Sequence, residues 1–301
     1  MKGVFCMNYM GIDVGSTTVK LVILNDKNEL LFSEYMRHYS DIKNTVRSLF
    51  KKAKDNVGTL EGTVMITGSG GLLLAKMLEL GFVQEVIATK TAVKKFLPDT
   101  DVVIELGGED AKILYLTNGL EQRMNGTCAG GTGSFIDQMA ILLKTDASGL
   151  NALAEKHTHI YKIAARCGVF AKSDVQPLLN EGAAKEDVAA SILQAVVTQT
   201  ISGLAQGRPI KGNIVFLGGP LFFLPQLRAR FEETLKDRAK SFKTPENAQL
   251  FIAIGAALAG AMEKKQYRLD ELIEKLDNAK RTETEVVRMR PLFKNEEERR
   301  E

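Results

Sequence analysis

Apolar residues open the chain in short runs separated by tight polar breaks. "YMGIDVGSTTVKLVILNDKNELLFSEYM" reads as strand, polar turn, strand, turn and strand, with "NDKNE" as the second connection. The spacing predicts a helix from Asp41 to about Lys54, then a short buried strand, "GTVMITGSGG", ending in a glycine turn. Helices over Leu72–Leu80 and near Thr89–Leu97 lead into "DVVIELGGEDAKILYLTNGLEQRM". That segment repeats the opening grammar: apolar strand, acidic residue, small-residue turn, second strand, Asn-Gly hairpin, third strand. Two imperfect copies of one unit therefore stand roughly ninety residues apart.

The second half reads differently. From Thr132 to about Gly207 the periodicity is helical, with a long Ala/Val/Ile-rich stretch over Lys185–Leu204. "GNIVFLGGPLFF" is a further buried strand ending in glycines, and "ENAQLFIAIGAALAG" a helix whose Gly255 and Gly260 permit close backbone packing. From Glu263 to Glu301 there are eleven acidic and eleven basic residues, which predicts one exposed helix (about Tyr267 to Lys280) and a polar linker. The expected division is a first subdomain over 9–125 holding both strand–turn–strand units, a second over 126–262, and a charged tail over 263–301.

Composition narrows the function classes. A chain of 301 residues, 45% hydrophobic and 26% charged, is that of a globular protein with one large core or two ordinary ones. Forty basic against 37 acidic residues is too balanced for a nucleic-acid footprint. No run of about 18 uncharged apolar residues exists, so no membrane span is expected, and the N-terminus does not read as a signal peptide. Three cysteines make no disulfide framework, which points to a reducing cytoplasm.

The turns carry the first chemistry. In "DVGSTT", Gly15 lets backbone N–H groups approach a phosphate, while Ser16, Thr17 and Thr18 add hydroxyl donors and Lys20 a cation. Asp13, at the strand end, is placed to hold Mg²⁺ through water, since that ion takes oxygen ligands and keeps several waters. The second copy, "ELGGEDAK", offers Gly107 and Gly108 with Glu105, Asp110 and Lys112. Two such hairpins facing each other would grip a triphosphate, and "LGGP" (Gly218, Gly219, Pro220) would pack on the base or ribose. No G-x-x-x-x-G-K-[ST] is present, which excludes the P-loop class, and no G-x-G-x-x-G opens a helix after the first strand, which disfavours a dinucleotide site.

On these residues the chain resembles the actin/Hsp70/sugar-kinase superfamily of ATPases, an α/β fold of two duplicated subdomains with a nucleotide cleft between them. The resemblance implies that 13–18 and 105–112 are its phosphate motifs, 217–220 its adenosine motif and 253–260 a connecting helix. The superfamily usually has Asp where Glu105 stands, so the carboxylate that orients the attacking water is sought among Asp13, Glu105 and Asp110.

Two cysteines lie in small-residue settings, Cys128 in "RMNGTCAGGTGSF" and Cys167 in "AARCGVFAKSDV". Each precedes an expected helix start, where the N-terminal dipole stabilises a thiolate. Two thiolates cannot complete a tetrahedral site, but two chains related by a twofold axis supply four, and such a site suits zinc or an iron–sulfur cluster. "GIDVGSTTVK", "LGGEDAK", "NGTCAGGTGSFIDQMA" and "RCGVFAKSDV" closely resemble the activator ATPases of 2-hydroxyacyl-CoA dehydratases, which are related to the ATPase subunits of benzoyl-CoA reductase. The similarity covers about residues 9–262, and "PLFFLPQLRARF" with the charged tail looks more like the N-terminal module of the family's large fused activases.

The resemblance implies a homodimer bridged by one [4Fe–4S] cluster, with Cys128 and Cys167 as each subunit's ligands. It implies ATP and Mg²⁺ as cofactors, a reduced ferredoxin or flavodoxin as electron source, and an iron–sulfur acyl-CoA dehydratase or reductase as acceptor. A small-molecule kinase with structural cysteines and a zinc-bridged regulatory ATPase are the alternatives. Cys6 matches no motif and reads as incidental; His38, His157 and His159 are scattered, and "HTHI", which has metal-binding residues, reads rather as a solvated helix end; Lys172 would place a cation near the cluster.

Overall fold

A computed structural model describes residues 7–58, 60–126, 130–164 and 167–278, together with 292, 293 and 298. The opening strands β1 (Asn8–Val14), β2 (Thr18–Leu24) and β3 (Leu30–Arg37) form an antiparallel meander, and β4 (Glu61–Thr67) adds parallel to β1. Helix α1 (Ile42–Val57) connects β3 to β4, and Asp41 caps it by accepting the Asn44 N–H at 3.3 Å. Its Val46, Leu49, Phe50 and Ala53, spaced at three and four residues, are buried in the first core. Helix α2 (Gly71–Leu78) and the short β5 (Gly81–Phe82), which also pairs with β4, complete this part.

Helix α3 (Glu85–Phe96) carries the chain to a second sheet that repeats the first. Strands β6 (Val102–Leu106), β7 (Ala111–Tyr115) and β8 (Glu121–Met124) are the second meander, with β9 (Gly212–Leu217) parallel to β6 and β10 (Ala239–Lys243) at the edge. Between β8 and β9 lie α4 (Gly133–Leu142), α5 (Ala147–Ala154), α6 (Gly168–Asn180) and α7 (Lys185–Thr198), the last running on into a π-helical turn at Gln199–Leu204. Residues 155–164, expected as helix, are not helical. Their N–H groups are taken instead by side chains: Thr158 and His159 by Asp187, Tyr161 by Ser191, Ala164 by Asp174. Helices α8 (Gly219–Phe223) and α9 (Pro225–Leu235) follow β9.

The duplication is exact in register. Asp13 pairs with Lys20 across β1–β2 and Glu105 with Lys112 across β6–β7, each pair next to the end of its hairpin. It extends further than the hairpins. Gly68 after β4 (φ +99°) lies against the Val14 backbone, and Gly218 after β9 (φ +91°) against the Leu106 backbone. Both positions need a residue without Cβ in the left-handed region, and glycine supplies it.

The second hairpin belongs with β9 and β10, because β6 pairs parallel to β9. Helix α10 (Phe251–Gly260) returns to the first half and packs on α3 and β1 so closely that backbones meet: a methyl on Gly11 would overlap Ala253, and one on Gly255 would overlap Ala88. The segment expected as an exposed helix also returns. Tyr267 and Arg268 form β11 on β4, and α11 (Leu269–Asn278) buries Leu269, Leu272 and Leu276 against the first core. The leucines at i, i+3 and i+7 are the apolar stripe that the surrounding charges masked.

Candidate functional site: a cleft between two hairpins

Each turn is closed by one backbone hydrogen bond, Gly15 N–H to Thr18 C=O at 2.9 Å and Gly107 N–H to Asp110 C=O at 2.7 Å. The turns face each other in contact, since a side chain on Gly108 would overlap Thr17. Thr17, Thr18, Gly108, Gly219 and Pro220, drawn from three expected motifs, line one cleft together with Tyr35, Arg37, Gly133, Ser134, Asp137 and Phe223. Its volume is about 200 Å³, below the roughly 300–1,000 Å³ of ordinary ligand pockets. Two contacts hold it narrow: Arg37 Nη2 on Asp137 Oδ2 at 2.9 Å, and the Tyr35 ring edge-on to Phe223 at 5.6 Å.

Beneath the turns lies a charged cluster. Asp13 Oδ2 is 2.9 Å from Lys20 Nζ, and both are largely buried. Lys112 Nζ is 3.2 Å from Glu105 Oε1 and hydrogen-bonds Glu85, with Asp110 at 3.9 Å. Thr89 Oγ1 donates to the other Glu105 oxygen at 3.0 Å. Burial pulls the Lys112 ammonium down, but Glu105 and Glu85 outweigh it, so Lys112 is held above the ordinary lysine range. Lys20 is raised in the same way: burial opposes, and Asp13 prevails. Burial pushes the Glu85 carboxyl up, and Asp13 and Glu105 add to that, against the pull of Lys112.

Four carboxylates here meet two ammonium groups, a surplus of two negative charges. Thr67 stands beside Asp13 in the β1–β4 register with its hydroxyl buried and without a partner among the described residues. All the donors are oxygens. The set fits Mg²⁺ held mainly by water and phosphate, and among the described residues no group of three or more His, Cys, Asp or Glu could hold a metal alone.

Of the two cysteines, Cys128 lies outside the described residues. Cys167 is the N-cap residue of α6, and the N–H groups of Phe170 and Val169 hold its thiol below the ordinary range. It is partly exposed, and Val169 (70%) and Phe170 (67%) beside it are more so. A stabilised thiolate at an open, apolar surface fits a ligand to a shared inorganic group. Lys172 is exposed on the same helix.

Both described flanks of the Cys128 segment stand on the second turn. Asn125 Oδ1 accepts the Ala111 N–H and Asn125 Nδ2 donates to Glu109 C=O, each at 2.8 Å. On the far side, at the start of α4, Gly133 N–H and Ser134 N–H donate to Gly107 C=O (3.0 Å) and Gly108 C=O (2.7 Å). Helix α4 also packs on α6, which Cys167 begins.

Sequence reasoning missed Glu85, Thr89, Asn125, Tyr35, Arg37, Asp137 and His38. His38, read as one of the scattered histidines, is buried against the first turn. Its signal was positional, because His38 and Asn125 each follow directly on the third strand of their repeat. His157 is half-buried, its Nδ1 bonded to Ala154 C=O at 2.7 Å and its Nε2 3.3 Å from Arg230 Nη1.

The sequence pattern of the BadF/BadG/BcrA/BcrD ATPase family matches residues 10–260. The (R)-2-hydroxyglutaryl-CoA dehydratase activating ATPase of Acidaminococcus fermentans is 33% identical over 258 residues, 83% of this chain and 95% of that protein. The solved activator of the 2-hydroxyisocaproyl-CoA dehydratase from Clostridium difficile, with bound ADPNP, superposes with a TM-score of 0.74 at 28% identity, covering 92% of this chain and 99% of that one. A ROK family glucokinase from Streptomyces griseus shares the fold alone, at 12% identity and a TM-score of 0.52 over 84% of this chain and 98% of that one. The duplicated sheets, the facing turns and the match over most of its length make this chain a member of the BadF/BadG/BcrA/BcrD ATPase family, with the actin-like ATPase fold.

Proposed function

We propose that this chain is an ATP-dependent one-electron donor, an activator of an iron–sulfur enzyme of the 2-hydroxyacyl-CoA dehydratase or benzoyl-CoA reductase type. One observation carries the reading: the segment holding Cys128 is anchored through Asn125 on one side and through Gly133 and Ser134 on the other to the turn Gly107–Ala111. A phosphate that displaces this turn moves both anchors, and α4 passes the displacement to α6 and Cys167.

The residues divide the work. Backbone N–H groups and hydroxyls at Gly15–Thr18 and Gly107–Gly108 hold the triphosphate, and Gly218–Pro220 hold the adenosine. Asp13 orients Mg²⁺ through water. Asp13 is paired with Lys20, and Glu105 and Glu85 with Lys112, which leaves Asp110, 3.9 Å from Lys112 and with a more exposed side chain, to orient water on the γ-phosphorus. The water oxygen bonds that phosphorus as its bond to the bridging oxygen breaks, the carboxylate takes the water's proton, and ADP and inorganic phosphate leave with no phosphoenzyme formed.

A [4Fe–4S] cluster, held by Cys128 and Cys167 of two copies, would supply one-electron storage, loaded by a ferredoxin or flavodoxin. Exposed Val169, Phe170 and, on α4, Ile141 (70%) offer the apolar surface that a second copy would cover. A reducing cytoplasmic setting suits exposed thiolates, and among the described residues no helix is long and apolar enough to cross a membrane.

Purification without oxygen tests the reading. A brown dimer with about two irons per chain, bleached by air and lost in Cys128→Ser and Cys167→Ser variants that still hydrolyse ATP, is the expected result. A colourless protein whose ATP turnover a sugar or pantothenate stimulates would make it a kinase. Zinc at about half an equivalent per chain would make it a zinc-bridged ATPase.

A further inference from the structure

We infer that His38 is a positioning residue for nucleotide binding, a brace that sets the direction of the first turn's peptide groups. It holds that turn at two points. The His38 N–H donates to Thr17 C=O at 3.1 Å, and its ring Nε2 meets Gly15 C=O at the same distance. The ring's tautomer follows from its other side: Nδ1 accepts the Ser40 N–H at 3.0 Å, so Nε2 carries the proton and donates to Gly15.

Peptide planarity gives these bonds their consequence. The Gly15 C=O and the Ser16 N–H belong to one trans unit and point in opposite directions. Fixing that carbonyl against the imidazole aims the Ser16 N–H away from His38, and fixing Thr17 C=O does the same for the Thr18 N–H. Thr17 and Thr18 line the cleft. Left to itself, a glycine-containing turn samples other orientations, and a phosphate must order it on binding.

Two further observations mark His38 as more than core filling. The chain after it takes two consecutive left-handed non-glycine residues, Tyr39 (φ +45°) and Ser40 (φ +65°), and such strain persists only where the surroundings impose it. The bond from Asp41 N–H to His38 C=O at 2.7 Å and the bond from Ser40 N–H to the ring are what impose it. The second hairpin carries the same device with a different side chain. Asn125, also the first residue after a third strand, bonds Glu109 and Ala111 in the other turn. A brace repeated along with the fold serves what the two turns share, and that is their grip on phosphate.

This inference rests on the nucleotide-cleft reading, and the test separates the two. His38→Asn keeps an oxygen where Nδ1 accepts the Ser40 N–H but cannot reach Gly15. His38→Gln extends an amide N–H to the position of Nε2. Equilibrium binding of Mg²⁺-ADPNP and steady-state ATP hydrolysis are measured on both, with thermal unfolding as the fold control. The expected result is a dissociation constant raised about tenfold in His38→Asn, with KM rising more than kcat falls, and within about threefold of the unmodified chain in His38→Gln. A His38→Asn variant that binds ADPNP as tightly as the unmodified chain overturns the brace while leaving the cleft standing. Loss in both variants in step with a lowered melting temperature assigns His38 a folding role and overturns it too. An unmodified chain that binds no ADPNP removes the cleft reading and the brace together.

Discussion

Replacing Lys112 by methionine keeps the length of the side chain and deletes its charge. The side chain has 6% of its surface exposed, and its ammonium faces Glu105, whose side chain is exposed at 3%, and Glu85, at 17%. Without it Glu105 keeps, among the described residues, only the Thr89 hydroxyl, which neutralises no charge. Breaking a buried pair from one side costs about 3–5 kcal/mol, because the stranded carboxylate has lost water and partner alike. Against a total stability of roughly 5–15 kcal/mol that is a large fraction. At roughly 2–4 °C per kcal/mol, the melting temperature falls by about 6–20 °C. Thermal unfolding followed by circular dichroism measures it, beside the double variant Lys112→Met/Glu105→Gln. The double variant recovers part of the loss, since the more buried of the two stranded carboxylates is gone while Glu85 remains. A single variant within about 1 kcal/mol of the unmodified chain, or a double variant no better than the single, refutes the reasoning.

The same cluster sets a pH dependence. Lys112 is raised in the folded state, so its contribution is complete below the ordinary lysine value of about 10.4 and fades only as pH climbs through its higher folded value. Glu85 is raised too, so it favours folding at low pH and loses that effect as pH rises from the ordinary glutamate value through its own; Glu85→Gln should flatten stability over that acidic window in urea titrations. Gly255→Ala forces a methyl onto the Ala88 carbonyl, where backbone cannot yield, and should cost about 1–3 kcal/mol or prevent accumulation of folded protein. In an iron-free Cys6→Ser/Cys128→Ser chain, Cys167 should be alkylated by iodoacetamide with a midpoint below the ordinary thiol value of about 8.5; a midpoint at or above it counts against the helix-terminal thiolate. Asn125→Ala strands the Ala111 N–H and should cost about 1–3 kcal/mol, with weakened ADPNP binding in the same samples.

Local pattern decided much of this protein. The two strand–turn–strand units, the glycines of both turns and the pairing of Asp13 with Lys20 and Glu105 with Lys112 follow from residues within eight positions of each other, because a hairpin's register is set by its turn. The helix that Cys167 begins was legible for the same reason. Contacts across long separations were not. That Glu85 reaches Lys112 and that Arg37 meets Asp137 depend on how distant elements pack, whereas Asn125 reaches the turn through the register that pairs Met124 with Lys112. His38 reads in sequence as an isolated histidine, and only the fold shows the carbonyls it holds. The tail misled because a leucine stripe at helical spacing is inconspicuous among eleven acids and eleven bases. Whether such a stripe lies in water or against α1 is settled by the apolar surface that the rest of the chain leaves uncovered, a property that belongs to the tertiary structure alone.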